Sequence, residues 1–215
     1  MSGSILCVAT ITSYTEAMTR RQLAAGTSWN LWVSQKNSVS VPDIQQCQNL
    51  LVSGNNPIPD SHITASSSFA MFGFTPQHSR LTNDASSGTL GGWAVDGGSI
   101  NTNQWLQFDL GSKHVITAVV TKGRALDGHN HYQWVTSYKL HFSSDAVTWT
   151  TYQTECGSDV VFQGNTDTNT LKQNTLQGLN KMMPVIFARY VRINPQTFHN
   201  YPTMRGDVLG CVLGT

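Results

Sequence analysis

Residues 104–111 read QWLQFDLG, with Trp105, Leu106, Phe108 and Leu110 packed into six residues ahead of Gly111. A short apolar run halted by glycine reads as a strand. Working outward, HVITAVVTKG (114–123) is β-branched, and SYKLHFSS (137–144) alternates Tyr138, Leu140 and Phe142 with Lys139, His141 and Ser143. DVVFQG (159–164), NTLKQNTL (169–176), FARYVRINP (187–195) and MRGDVLG (204–210) follow, each short and bounded by Gly, Asn, Asp or Ser. Strands at this spacing without intervening helical patterns predict an all-β antiparallel sandwich or barrel. There is no internal repeat.

Composition agrees. The chain has 215 residues, enough for one domain and an extension, but only two glutamates, Glu16 and Glu155. Charged residues are 12% and the formal net charge is +1, so the chain lacks the basic field that drives phosphate-backbone binding, and nucleic acid is excluded as the expected partner. No apolar run reaches membrane-spanning length. ILCVATI (5–11) lacks a basic flank and a cleavage pattern, so it reads as a strand or anchor segment rather than a signal peptide. No Asn-x-Ser/Thr acceptor occurs.

Residues 1–46 differ from the rest. SYTEAMTRRQLAAG (13–26) offers Ser13 and Glu16 as a capping box and Gly26 as a stop, which predicts one short helix. The extension is expected to be a packing arm or an oligomerisation element. Catalysis finds no support: carboxylates do not pair, and neither a nucleophile elbow nor a glycine-rich phosphate loop is present. Cys7, Cys47, Cys156 and Cys211 have no C-x-x-C spacing, so disulfides fit better than zinc.

The ordered pieces IPDSHITASSSF (58–69), SRLTN (79–83), GGWAVD (91–96), NQWLQFDLG (103–111), VVTKGR (119–124), WVTSYKLHFSSDAVTW (134–149), VFQGNTDTNT (161–170), ARYVRINP (188–195) and MRGDVLGC (204–211) resemble the discoidin, or coagulation factor 5/8 C-type, domain over about three quarters of the chain. QWVTSYKL is similar to the slime-mould discoidins. The resemblance implies an eight-stranded distorted jelly-roll barrel over 47–211, a tail at 212–215, and a disulfide between Cys47 and Cys211. Cys7 and Cys156 then pair with each other, link subunits or stay free. Arg205-Gly206-Asp207 spells an adhesion tripeptide, but it falls in the last strand. There Arg205 is expected to be a partly buried guanidinium paired with a carboxylate, Asp109 being one candidate.

Family members bind through loops at one end of the barrel. Mapped by motif, the first loop carries Met71, Phe72 and Phe74, and the second Asp96. The third carries Arg124, Leu126, Asp127, His129, Asn130, His131 and Tyr132, and the fourth Phe198, His199, Asn200 and Tyr201. Planar polar groups beside aromatic rings suit a cell-surface glycan, which is the favoured ligand. The alternative is an anionic phospholipid, phosphatidylserine, met by Met71, Phe72, Phe74 and Leu126 with Arg80 or Arg124 near the headgroups; a third is a protein receptor. Asp127, His129 and His131 are too few firm ligands for a metal. Calcium is a candidate cofactor at Asp96–Asn101, where no calcium-loop motif stands. The resemblance implies extracellular or cell-surface action, and weak single sites imply a homo-oligomer.

Overall fold

The computed structural model describes residues 47–85, 90–126, 128, 130–154, 156–176 and 186–212. The expected helix over 13–26, the role of residues 1–46 and the fate of Cys7 lie outside them.

Ten strand segments occur among the described residues: β1 (Asn49–Leu50), β2 (Ile63–Ala65), β3 (Trp93–Ala94), β4 (Leu106–Lys122), β5 (Trp134–Ser143), β6 (Thr150–Thr151), β7 (Phe162–Gln163), β8 (Lys172–Thr175), β9 (Ile186–His199) and β10 (Thr203–Val212). β1, β3, β6 and β7 are only two residues long, short pairings at the margins of the four long strands. The main order is β1-β10-β4-β9-β5-β6, with β2 and β8 also on β4, β3 on β10 and β7 on β5. All pairings are antiparallel. This all-β jelly roll is the predicted fold.

β4 runs through both halves of the roll. Its first half pairs β2 through Leu106–Phe108 and β9 through Leu106–Asp109; its second half pairs β10 and β8, and β9 again through His114–Ile116. Between them the register with β9 shifts at Asp109/His114, and Gly111 takes φ +78, a left-handed conformation that suits glycine at the bend. Burial follows this division. Leu106, Phe108 and Leu110 point inward while Gln107 and Asp109 stay half-buried, whereas His114–Thr121 is buried throughout. In that second half Ile116 and Val119 face the main core with Trp93, Tyr138 and Met204, while Ala118 and Val120 pack on the opposite side with Leu50, Leu81 and Leu209. A strand covered on both faces is continuously apolar, which accounts for the unbroken β-branched run.

The Cys47–Cys211 disulfide forms, with Cys47 and Val115 buried against it. Cys156 is likewise disulfide-bonded, so the free-thiol alternative is closed for it.

The expected Asp109–Arg205 pair does not form. Asp109 accepts two hydrogen bonds from Arg189, Nε at 2.7 Å and Nη2 at 2.8 Å. Arg205, 2% exposed, donates instead to the carbonyls of Gly123, Asn83 and Thr168 and to Asn169 Oδ1. Asp207 is fully buried and accepts backbone N–H groups from Val52, Ser53 and Val208. The Arg-Gly-Asp tripeptide is therefore wall material of the barrel and cannot be presented to a receptor.

The Arg189 guanidinium holds the Asp109 carboxyl below its ordinary range, against the opposing effect of burial. A folded-state pKa below the unfolded value of about 3.9 makes this contribution complete above that pH and lost as pH falls through the folded pKa. In chemical denaturation series, the stability difference between wild type and Asp109→Asn should shrink from pH 6 toward the acid side of pH 4.

Candidate functional site

The first loop folds back on itself. Phe69 and Phe74 form an antiparallel bridge, and the Phe69 N–H donates to the Ala94 carbonyl, strapping the loop to β3. A 3-10 turn over Ala70–Phe72 is closed by Gly73 at φ +78, where the left-handed backbone favours glycine. His78 Nδ1 meets the Gly73 carbonyl, so that nitrogen carries the proton. Met71 stands on this turn at 86% exposure with Phe72 at 54%, while Phe69 turns inward. Phe74 departs from expectation: it is 6% exposed, because the Arg124 guanidinium lies 4.6 Å from its ring centroid. It supports the tip and is not part of it.

The third loop is anchored at its base. The Arg124 N–H donates to the Gln133 carbonyl and the Ala125 N–H to the Gly91 carbonyl. Arg124 Nη1 and Thr203 Oγ1 both donate to Gln133 Oε1, at 3.1 Å each. Those two bonds assign the amide, leaving Gln133 Nε2 as a donor. Beyond the base, Leu126 is 38% and Tyr132 49% exposed. Asn130 is exposed at φ +55, a left-handed value that asparagine tolerates. Asp127 and His129 lie outside the described residues.

The fourth loop closes the assembly. Asn200, at φ +59, donates from Nδ2 to the Tyr132 carbonyl, joining the third and fourth loops. His199 stacks on Trp134 with centroids 4.1 Å apart and planes 12° apart. Tyr201 donates its hydroxyl to the Val95 carbonyl and stacks near Phe69 at 5.9 Å. Burial, followed by the charge of Asp96 in the second loop, pushes the Tyr201 phenol up. Asp96 itself accepts the Gly98 N–H through Oδ2.

These contacts surround a cleft of ≈ 490 Å³. Phe69, Phe72, Phe74, Leu90 and Ala94 supply its apolar lining; Arg124, His131, Gln133 and Tyr201 supply polar atoms. The structure thus brings together Phe72, Phe74, Arg124, His131 and Tyr201 from the expected set. Met71, Leu126, Asn130, Tyr132, His199 and Asn200 lie on the same loops but do not line the cleft, and Asp96 reaches the group through Tyr201. Phe69, Leu90 and Gln133 escaped notice in the sequence; the aromatic repeat FAMFGF was a signal for Phe69, whereas nothing local marks Gln133. Arg80, expected near the headgroups, is engaged within the fold. It donates to the carbonyls of Val52 and Ile58 and pairs with Asp60.

Among the described residues no three His, Cys, Asp or Glu side chains converge as metal ligands, and no helix is long and apolar enough to cross a membrane. Gly91 controls the cleft at close range: a Cβ there would lie 2.1 Å from the Ala125 carbonyl oxygen, so the third loop would have to move. Gly91→Ala is expected to weaken ligand binding at least tenfold, and loss of protection at the Ala125 amide in hydrogen exchange would report the displacement.

Comparison with known proteins places this geometry. The sequence profile of the F5/8 type C domain matches residues 62–208. Lactadherin of Rattus norvegicus is 40% identical over 174 residues, covering 79% of this chain and 38% of that protein. EGF-like repeat and discoidin I-like domain-containing protein 3 of Homo sapiens is 36% identical over 175 residues, covering 79% and 34%. Recombinant discoidin II of Dictyostelium discoideum superposes with TM-score 0.56 at 26% identity, over 71% of this chain and 56% of that one. The chain spans little more than a third of the two curated relatives. A disulfide-closed jelly roll whose loops converge on one cleft, matched by profile over most of its length, is a ligand-binding module, and the chain belongs to the F5/8 type C (discoidin) domain family.

Proposed function

We propose that the module is a non-enzymatic, extracellular recognition domain that docks its loop end on an anionic phospholipid surface. The observation that carries this reading is the exposure of Met71, Phe72 and Leu126 on loops that converge around one cleft. Entering the bilayer interface, Met71 and Phe72 would each contribute about 1.5–3 kcal/mol if fully buried. Tyr132, half exposed, suits the interface with its apolar body and polar tip. The Arg124 guanidinium, buried over Phe74 and donating to Gln133, places a positive charge beneath this rim, which favours an anionic surface over a neutral one. A disulfide between Cys47 and Cys211 fits an oxidising compartment.

Glycan recognition is the second reading, favoured by the polar atoms of Arg124, His131 and Gln133 beside the rings of Phe69 and Tyr201. It ranks lower because several polar groups nominated for sugar contact hold the loops together: the Asn200 amide donates to Tyr132, the Tyr201 hydroxyl to Val95, and His199 stacks on Trp134.

Co-sedimentation with phosphatidylcholine vesicles, with and without phosphatidylserine, separates the readings. Serine-lipid-dependent binding is expected, with a Met71→Ala, Phe72→Ala variant weakened by at least about a hundredfold. Absence of binding to either vesicle, together with sugar binding that His131→Ala abolishes, would replace the lipid reading with the glycan one.

A further inference from the structure

We infer that Met71 is a site of oxidative modification, and that conversion of its thioether to the sulfoxide releases the loop end from a lipid surface. The inference rests on the lipid reading above. Two observations carry it. The described residues include two methionines placed at opposite extremes: Met71 is 86% exposed, and Met204 is 0% exposed in the main core. Among the described residues Met71 is also the most exposed of the large apolar side chains, and it stands on the 3-10 turn that Gly73 closes beside Phe72.

A hydroperoxide transfers one oxygen to the Met71 sulfur: the O–O bond breaks, an S=O bond forms, sulfur is oxidised by two electrons, and the peroxide leaves as water or an alcohol. The product is polar and chiral where the thioether was flexible and apolar. Its gain on entering the interface is lost, while the fold, which does not use the Met71 side chain in its core, is retained. Lipid contact and oxidation therefore oppose each other, since a docked Met71 sulfur is hidden from an aqueous oxidant.

The test uses the full chain, hydrogen peroxide, and phosphatidylcholine vesicles containing phosphatidylserine. Peptide mass spectrometry should find one added oxygen at Met71 before any at Met204. Oxidised wild type should bind at least about tenfold more weakly. Met71→Leu, compared with its own untreated state, should keep its binding after peroxide, which assigns the effect to this sulfur and away from the chain's other methionines. Vesicles added before peroxide should slow Met71 oxidation. The inference is overturned if oxidised wild type binds as before, or if peroxide weakens Met71→Leu equally. Failure of untreated wild type and untreated Met71→Leu to bind vesicles would be a different result: it sinks the lipid reading, and this inference with it.

Discussion

Replacing Cys47 and Cys211 together by alanine should lower the unfolding free energy by about 2–5 kcal/mol, because the bond closes a loop with a sequence separation of 164. A crosslink of that span removes much of the unfolded chain's freedom to separate its ends. It also has a local role. Cys47 is 1% exposed, its carbonyl accepts Thr117 Oγ1, and Cys211 lies opposite Val115 in the β10–β4 ladder. Losing the bond frees the entry to β1 and the end of β10 at once. At roughly 2–4 °C per kcal/mol for a chain of this size, the melting temperature should fall by about 10 °C. The double variant is a cleaner test than a reducing agent, since Cys156 is also disulfide-bonded. An unchanged melting temperature would show that the ends are held by the ladder alone.

Arg205→Met is expected to cost roughly 3–5 kcal/mol, near the upper end for a single substitution. The guanidinium is buried, and desolvation pulls its pKa down to about 10. It is retained because Nε, Nη1 and Nη2 each meet a fixed carbonyl, on Gly123, Asn83 and Thr168. Methionine fills similar space but leaves those acceptors without this donor, and water has little access to replace it. Arg205→Lys should also destabilise, since an ammonium cannot satisfy three directions that a planar fork can. Urea unfolding of the three proteins measures this. Equal midpoints for Arg205→Met and wild type would remove the guanidinium from the account. Since Arg205 and Asp207 are buried in β10, soluble Arg-Gly-Asp peptide should not compete with any adhesion that the native chain supports.

The same residues show where sequence reading holds and where it stops. Short turn-bounded runs identified an all-β roll because strand periodicity is a local property, repeated every second residue whatever the partner. The ordered motifs further implied the Cys47–Cys211 closure and the four loops, and both are present. Pairing between distant side chains was another matter. Asp109 and Arg189 are 80 residues apart and meet because β4 and β9 are neighbours around the register shift at Asp109/His114; no local pattern encodes that choice. Phe74 looked like an exposed tip by hydrophobicity, equal to Phe72 two residues earlier. The Phe69–Phe74 bridge and Arg124, arriving from another loop, bury one ring and leave the other out. By itself, then, the sequence determined the strands, the fold class and the loops from which a site is built. Only the tertiary structure decided which side chains of those loops face a common cleft, which hold the loops together and which remain exposed, because each of these depends on contacts made across dozens of residues.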